Sequence, residues 1–115
     1  MGRITTHVLD TAAGRPAAGL KVILSRLDGT PAVVIEAVTN GDGRADRPLL
    51  EGPAFAIGQY EIVFHVGDYF RARGLTLPDP PFLDAVPVRF GVTEDTHYHV
   101  PLLVSPYGYS TYRGS

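Results

Sequence analysis

Four histidines, one arginine set behind a glycine-rich turn and a tyrosine-rich tail are the residues of this chain best equipped for chemistry. A neutral imidazole can take a proton from water near pH 7. A guanidinium binds oxygens in pairs and steadies negative charge as it builds. His97 and His99 are two apart, so on a strand both side chains leave the same face. Tyr98, Val100, Leu102 and Val104 leave the other, which reads as the core face. The histidine face also carries Pro101, Leu103 and Ser105. Three readings stand: a pair of solvated surface histidines, a reactive pair, or two ligands of a metal site that needs a third.

His7 sits between a Thr pair and an apolar pair, where a structural role competes with a catalytic one. His65 lies opposite Phe64, with Glu61 and Val63, and reads as structural or supporting. Asn40-Gly41-Asp42-Gly43 is a tight turn that aims Arg44, either into solvent or at a ligand. A calcium loop needs acidic ligands at several fixed positions and a closing Glu, which this stretch lacks. At the other end Tyr107, Tyr109 and Tyr112 crowd together with Ser105, Ser110, Thr111 and Ser115. Free tails are usually frayed and poor in aromatics, so this one is expected to pack, on its own domain or on another subunit. That would bring the Ser115 hydroxyl to a defined place.

The elements that must hold these groups are short. Thirteen Gly and ten Pro punctuate the chain, with apolar and aromatic runs between them, the pattern of an all-β sandwich or barrel. Strands are expected over 4–9, 20–27, 32–39, 58–66, 84–92, 97–105 and 109–113, with a short edge strand over 47–50. Residues 10–18 read as a loop. Asp28-Gly29 marks a hairpin turn. Tyr60, Ile62, Phe64 and Val66 share one face of the clearest strand. A short helix is expected over 67–74, capped by Asp68 and ended by Gly74. Pro78, Pro80 and Pro81 make the following stretch an ordered coil. Seven or eight strands with one short helix fit a two-sheet Greek-key sandwich.

Composition narrows the function. The 115 residues are one domain's worth, 1–115, and a chain this size buries roughly two-thirds of its unfolded surface. With no Cys there is neither a disulfide framework nor a thiolate metal site. Ten basic residues against twelve acidic ones, without a Lys/Arg cluster, give no footprint for nucleic acid. No stretch approaches the roughly 20 apolar residues of a membrane span, and the first ten carry no apolar run of signal-peptide length. A soluble cytoplasmic protein is expected.

Several segments resemble one family. Ile4-Thr5-Thr6-His7-Val8-Leu9-Asp10-Thr11 and Gly14-Arg15-Pro16-Ala17 are similar to the N-terminal signature of 5-hydroxyisourate hydrolases. Tyr98-His99-Val100-Pro101-Leu102-Leu103-Val104-Ser105-Pro106 and Tyr112-Arg113-Gly114-Ser115 are similar to its C-terminal signatures, and Tyr60 to Phe70 fits the middle. The Tyr-Arg-Gly-Ser ending distinguishes these hydrolases from transthyretin, the related hormone carrier.

The resemblance implies a transthyretin-like sandwich assembled as a homotetramer, with active sites between dimers. It implies hydrolysis of 5-hydroxyisourate to 2-oxo-4-hydroxy-4-carboxy-5-ureidoimidazoline, a step of urate degradation, without metal or organic cofactor. Carried over residue by residue, it makes His7, Arg44 and His99 catalytic and places Tyr112, Arg113, Gly114 and Ser115 at the substrate. His97 falls outside the core motif and receives no catalytic role. Two rivals remain: a transthyretin-like small-molecule carrier without catalysis, and a structural or interaction module. A channel for an apolar aromatic ligand has little use for two imidazoles and a guanidinium, which favours the enzyme.

Overall fold

Alternating burial along the longest strands shows why this chain folds into two sheets. In the computed structural model, which describes residues 1–115, the strands in chain order are β1 (Arg3–Asp10), β2 (Arg15–Pro16), β3 (Lys21–Arg26), β4 (Ala32–Val38), β5 (Leu50–Glu51), β6 (Gly58–His65), β7 (Ala85–Val92), β8 (His97–Ser105) and β9 (Gly108–Thr111). A single 3-10 turn, Gly52–Ala54, follows β5, and one helix, α1 (Val66–Ala72), follows β6. No helix is long and apolar enough to cross a membrane.

One sheet runs β2-β1-β8-β9, with β5 also pairing β1; the other runs β4-β3-β6-β7. The β1–β8 pairing is parallel and joins Arg3 through Asp10 to His97 through Val104. Ile4, Val8, Val100, Leu102 and Val104 of the first sheet meet Val22, Leu24, Tyr60, Ile62 and Phe64 of the second in one buried cluster. Full burial of each such side chain is worth about 1.5–3 kcal/mol. A one-residue slip of β1 would turn its buried residues outward, so this core also fixes the register that displays Arg3, Thr5 and His7 on the outer face.

The expected all-β sandwich with one short helix is present. Two of its nine strands have only two residues. β5 stands at the end of the expected 47–50 edge strand, and β2 lies inside the segment read as loop. Both form because they pair with the edge of β1 that β8 leaves free, which local propensity does not announce. The helix also differs from expectation. His65 is its N-cap, and Asp68 sits within the first turn without a side-chain capping bond. There its charge still favours the helix dipole. The far end follows the sequence reading. Gly74, at φ +90°, donates to Arg71 O and Leu75 donates to Phe70 O, the paired bonds of a Schellman motif. α1 also adds Tyr69 and Phe70 to the core. The Tyr69 hydroxyl donates to buried Asp10 Oδ2 at 2.8 Å.

Candidate active site

The outer face of the β1–β8 pair carries the imidazoles. Cα register sets Thr5 beside His99 and Arg3 beside His97. His7 is one further outward position along β1, and its ring centroid lies 6.4 Å from that of His99. The rings of His97 and His99 are 6.0 Å apart. Thr5 stands between the last two: its Oγ1 is 2.6 Å from His97 Nε2 and 2.7 Å from His99 Nδ1.

Arg44 arrives from the other side of β1. The turn before it is tied by Asn40, whose Oδ1 accepts from the amides of Asp42 and Arg44 and whose Nδ2 donates to Asp46 Oδ1. Gly43 adopts φ +77°, and a Cβ there would run into Val8 O. A side chain at this position would therefore break the Val8 N–H to Gly43 O bond, 2.8 Å, that docks the turn on β1. The docked turn forms a β-bridge between Arg44 and His7.

The tail closes a third side. β9 pairs β8, and Gly114 N then donates to His99 O at 2.8 Å. A Cβ on Gly114 would meet His99 Cδ2 at 2.5 Å, so the absence of a side chain lets the tail lie directly on the ring. The tail packs through its backbone, while Tyr107, Tyr109 and Tyr112 remain 63%, 46% and 60% exposed.

These elements enclose a polar cleft of about 390 Å³ whose walls include Arg3, Thr5, Arg44, Arg47, His97, His99 and Ser115. His7 is not one of its walls but flanks it, with its ring near that of His99 and its backbone bridged to Arg44. The expected tail quartet divides. Gly114 and Ser115 reach the imidazole side, whereas Tyr112 and Arg113 line a separate, more apolar cavity of about 280 Å³ that contains no imidazole. There the Arg113 guanidinium lies 4.1 Å from the Tyr98 ring centroid, and its Nη2 donates to His97 O. His65 is remote from this constellation; its buried Nε2 has no hydrogen-bond partner.

All three imidazoles at the cleft are held below the usual histidine pKa. Burial is the largest cause in each case. Arg44 adds to it at His7 and His99, the other two rings add to it at His99, and Arg3 and Arg113 add to it at His97. The Asp42 backbone and carboxylate oppose the shift at His7. A cluster of neutral imidazoles beside a guanidinium can accept a proton and stabilise an oxyanion. No group of three or more His, Asp or Glu side chains is arranged to hold a metal ion; the ring nitrogens of His97 and His99 converge on a hydroxyl instead. Arg3, Thr5 and Arg47 were missed in the sequence reading. For Arg3 and Thr5 the signal was available, since they lie four and two residues before His7 on one strand face.

Comparison with known proteins points the same way. The family model described as HIUase/Transthyretin matches residues 4–114. 5-Hydroxyisourate hydrolase 2 of Rhizobium meliloti is 66% identical, over 99% of this chain and 97% of its own. Among solved structures, an (S)-allantoin synthase superposes with a TM-score of 0.94 at 50% identity over 99% of this chain, which spans only 44% of the synthase's length. Sea bream transthyretin in complex with thyroxine superposes with a TM-score of 0.85 at 27% identity, over 97% of this chain and 94% of its own.

Proposed function

Because the chain belongs to the HIUase/transthyretin family, we propose that the cleft between β1, β8, the Arg44 turn and the tail is where it opens the ring of 5-hydroxyisourate. The chain is a hydrolase of urate degradation, and its product is 2-oxo-4-hydroxy-4-carboxy-5-ureidoimidazoline. The observation that carries the site assignment is the meeting of two pKa-lowered imidazoles and the Arg44 guanidinium at one polar cleft.

His99 is the better placed base. Its Nδ1 is engaged by Thr5, so Nε2 is the nitrogen free to take a proton from water. The water oxygen attacks a ring carbonyl, and Arg44 binds the oxygen on which negative charge develops. The carbon–nitrogen bond then breaks, and the protonated His99 returns its proton to the departing nitrogen. His7, against Arg44 and His99, orients the substrate or water; Ser115 and the backbone of Gly114 close the cleft. General-base help of this kind is typically worth about 10²–10⁴-fold, and positioning supplies the remainder.

Replacing His99 with Asn tests the assignment. The decay of freshly generated 5-hydroxyisourate, followed by absorbance, should slow by about 10²–10⁴-fold in kcat, with the fold intact by circular dichroism. An unchanged rate would remove His99 from the chemistry. A homotetramer with sites at the dimer–dimer interface and a cytoplasmic location belong to the same reading. Support for assembly comes from the unpaired outer edges of β7 and β9 and from the exposed tail tyrosines.

A further inference from the structure

His97 is the imidazole that the reaction above leaves without a task, yet it is tied to His99 through one hydroxyl. Thr5 Oγ1 stands 2.6 Å from His97 Nε2 and 2.7 Å from His99 Nδ1. A threonine hydroxyl has a single proton to donate. With both rings neutral, it can give that proton to only one of them, so at least one ring must donate an N–H to the oxygen, whose two lone pairs leave room for that bond. The two tautomers are thereby coupled: both ring nitrogens cannot be bare, and the arrangements that use the hydroxyl proton between the rings pair one accepting nitrogen with one N–H. If His97 Nε2 accepts from Thr5, His99 must present Nδ1–H and keeps a lone pair on Nε2. If His97 Nε2 carries a proton, the Thr5 hydroxyl proton is free to turn toward His99 Nδ1; His99 Nε2 then becomes an N–H, and its ability to take a proton from water is lost.

We propose that His97 and Thr5 are positioning residues that set the tautomer of His99, His97 Nε2 accepting the Thr5 hydroxyl so that Thr5 accepts from His99 Nδ1–H. The inference deepens the reading of His99 as the base and rests on it. The surroundings of His97 favour the uncharged ring, without which its Nε2 has no lone pair to accept with. Burial, with Arg3 and Arg113 nearby, keeps its ring neutral, and Arg113 Nη2 also holds the His97 carbonyl at 3.3 Å. The parallel β1–β8 register places Thr5 beside His99, so the geometry is built into the sheet. Thr5 contributes a hydroxyl and no charge, leaving Arg44 as the cation at the reacting oxygen.

The test uses the full chain and two independent readouts. Nitrogen-15 NMR of the histidine rings at neutral pH should find His99 of the wild type as the Nδ1–H tautomer. Thr5→Val, similar in shape but without a hydroxyl, should shift His99 toward Nε2–H or a mixture. Its kcat should fall by about 10–100-fold, by analogy with the cost of losing the partner that orients a metal-ligating His, while KM stays within about twofold. Thr5→Ser restores the hydroxyl and should recover both tautomer and kcat. His97→Gln keeps an acceptor and should retain more activity than His97→Phe, which has none. A wild-type His99 found as Nε2–H, or a Thr5→Val protein with unchanged tautomer and kcat, overturns the proposal. A wild type that fails to hydrolyse 5-hydroxyisourate would instead sink the functional reading, while the NMR comparison still reports on the hydroxyl link.

Discussion

The rings of His7 and His99 lie 6.4 Å apart beside a guanidinium, so a proton added to either imidazole meets repulsion as well as poor solvation. Both stay neutral at pH values where a free histidine would begin to charge. In a profile of kcat/KM against pH, the acid limb reports the base in the free enzyme, and its midpoint should lie below 6.5. Arg44→Gln should lower kcat by about 10²–10³-fold through loss of oxyanion stabilisation. The same substitution should move the acid limb to higher pH, because a cation that depresses His7 and His99 is gone. A limb that stays in place would mean that Arg44 does not act on the base. Stability follows the same sign. Folded-state pKa values below the unfolded ones mean that the unfolded chain binds more protons, so the contribution is present above pH 6.5 and is lost as pH falls through the folded values.

At the scale of elements, the site is three backbone dockings on one strand pair: β8 on β1, the Arg44 turn on the opposite edge of β1, and the tail on His99. The tail docking is the easiest to remove, since the residues after Thr111 lie outside β9. Deleting Tyr112 to Ser115 should abolish turnover and leave the β-rich circular dichroism spectrum nearly unchanged; a truncated protein of full activity would exclude the tail from the site. Residue types and spacing marked His7, Arg44 and His99 only as candidates, and the turn before Arg44 was legible in its own residues; the family resemblance is what singled the three out. Spacing could not show that β1 and β8 lie side by side, because a parallel pairing between residues this far apart leaves no local trace. The Thr5 link was hidden for that reason. The division of the tail was hidden too: strand alternation stops at Thr111, and nothing in the pattern separates Tyr112 and Arg113, at the apolar cavity, from Ser115 in the polar one. The cap of α1 was misplaced because Asp68 is a good capping type, but the chain turns helical as soon as β6 ends at His65.

The molecule as a whole carries more apolar surface than a solitary domain needs. Tyr107, Tyr109, Tyr112, Phe82, Val33 and Val38 are exposed, and β7 and β9 each offer an unpaired edge. Open edges and exposed aromatics are liabilities in a monomer and assets in an interface. The polar cleft lies on the outer face of the β1–β8 sheet, where a second copy could cover it and exclude bulk water. Covering it would strengthen the pull of Arg44 on a developing oxyanion, since charges interact more strongly where solvent is excluded. If assembly completes the site in this way, turnover per chain must follow the population of assembled protein. Over a dilution series, sedimentation velocity should show tetramer giving way to smaller species, and kcat per chain should fall in step. A constant kcat per chain down to concentrations where only monomer sediments would show that one sandwich suffices. The open cleft of the single chain would then be the complete site.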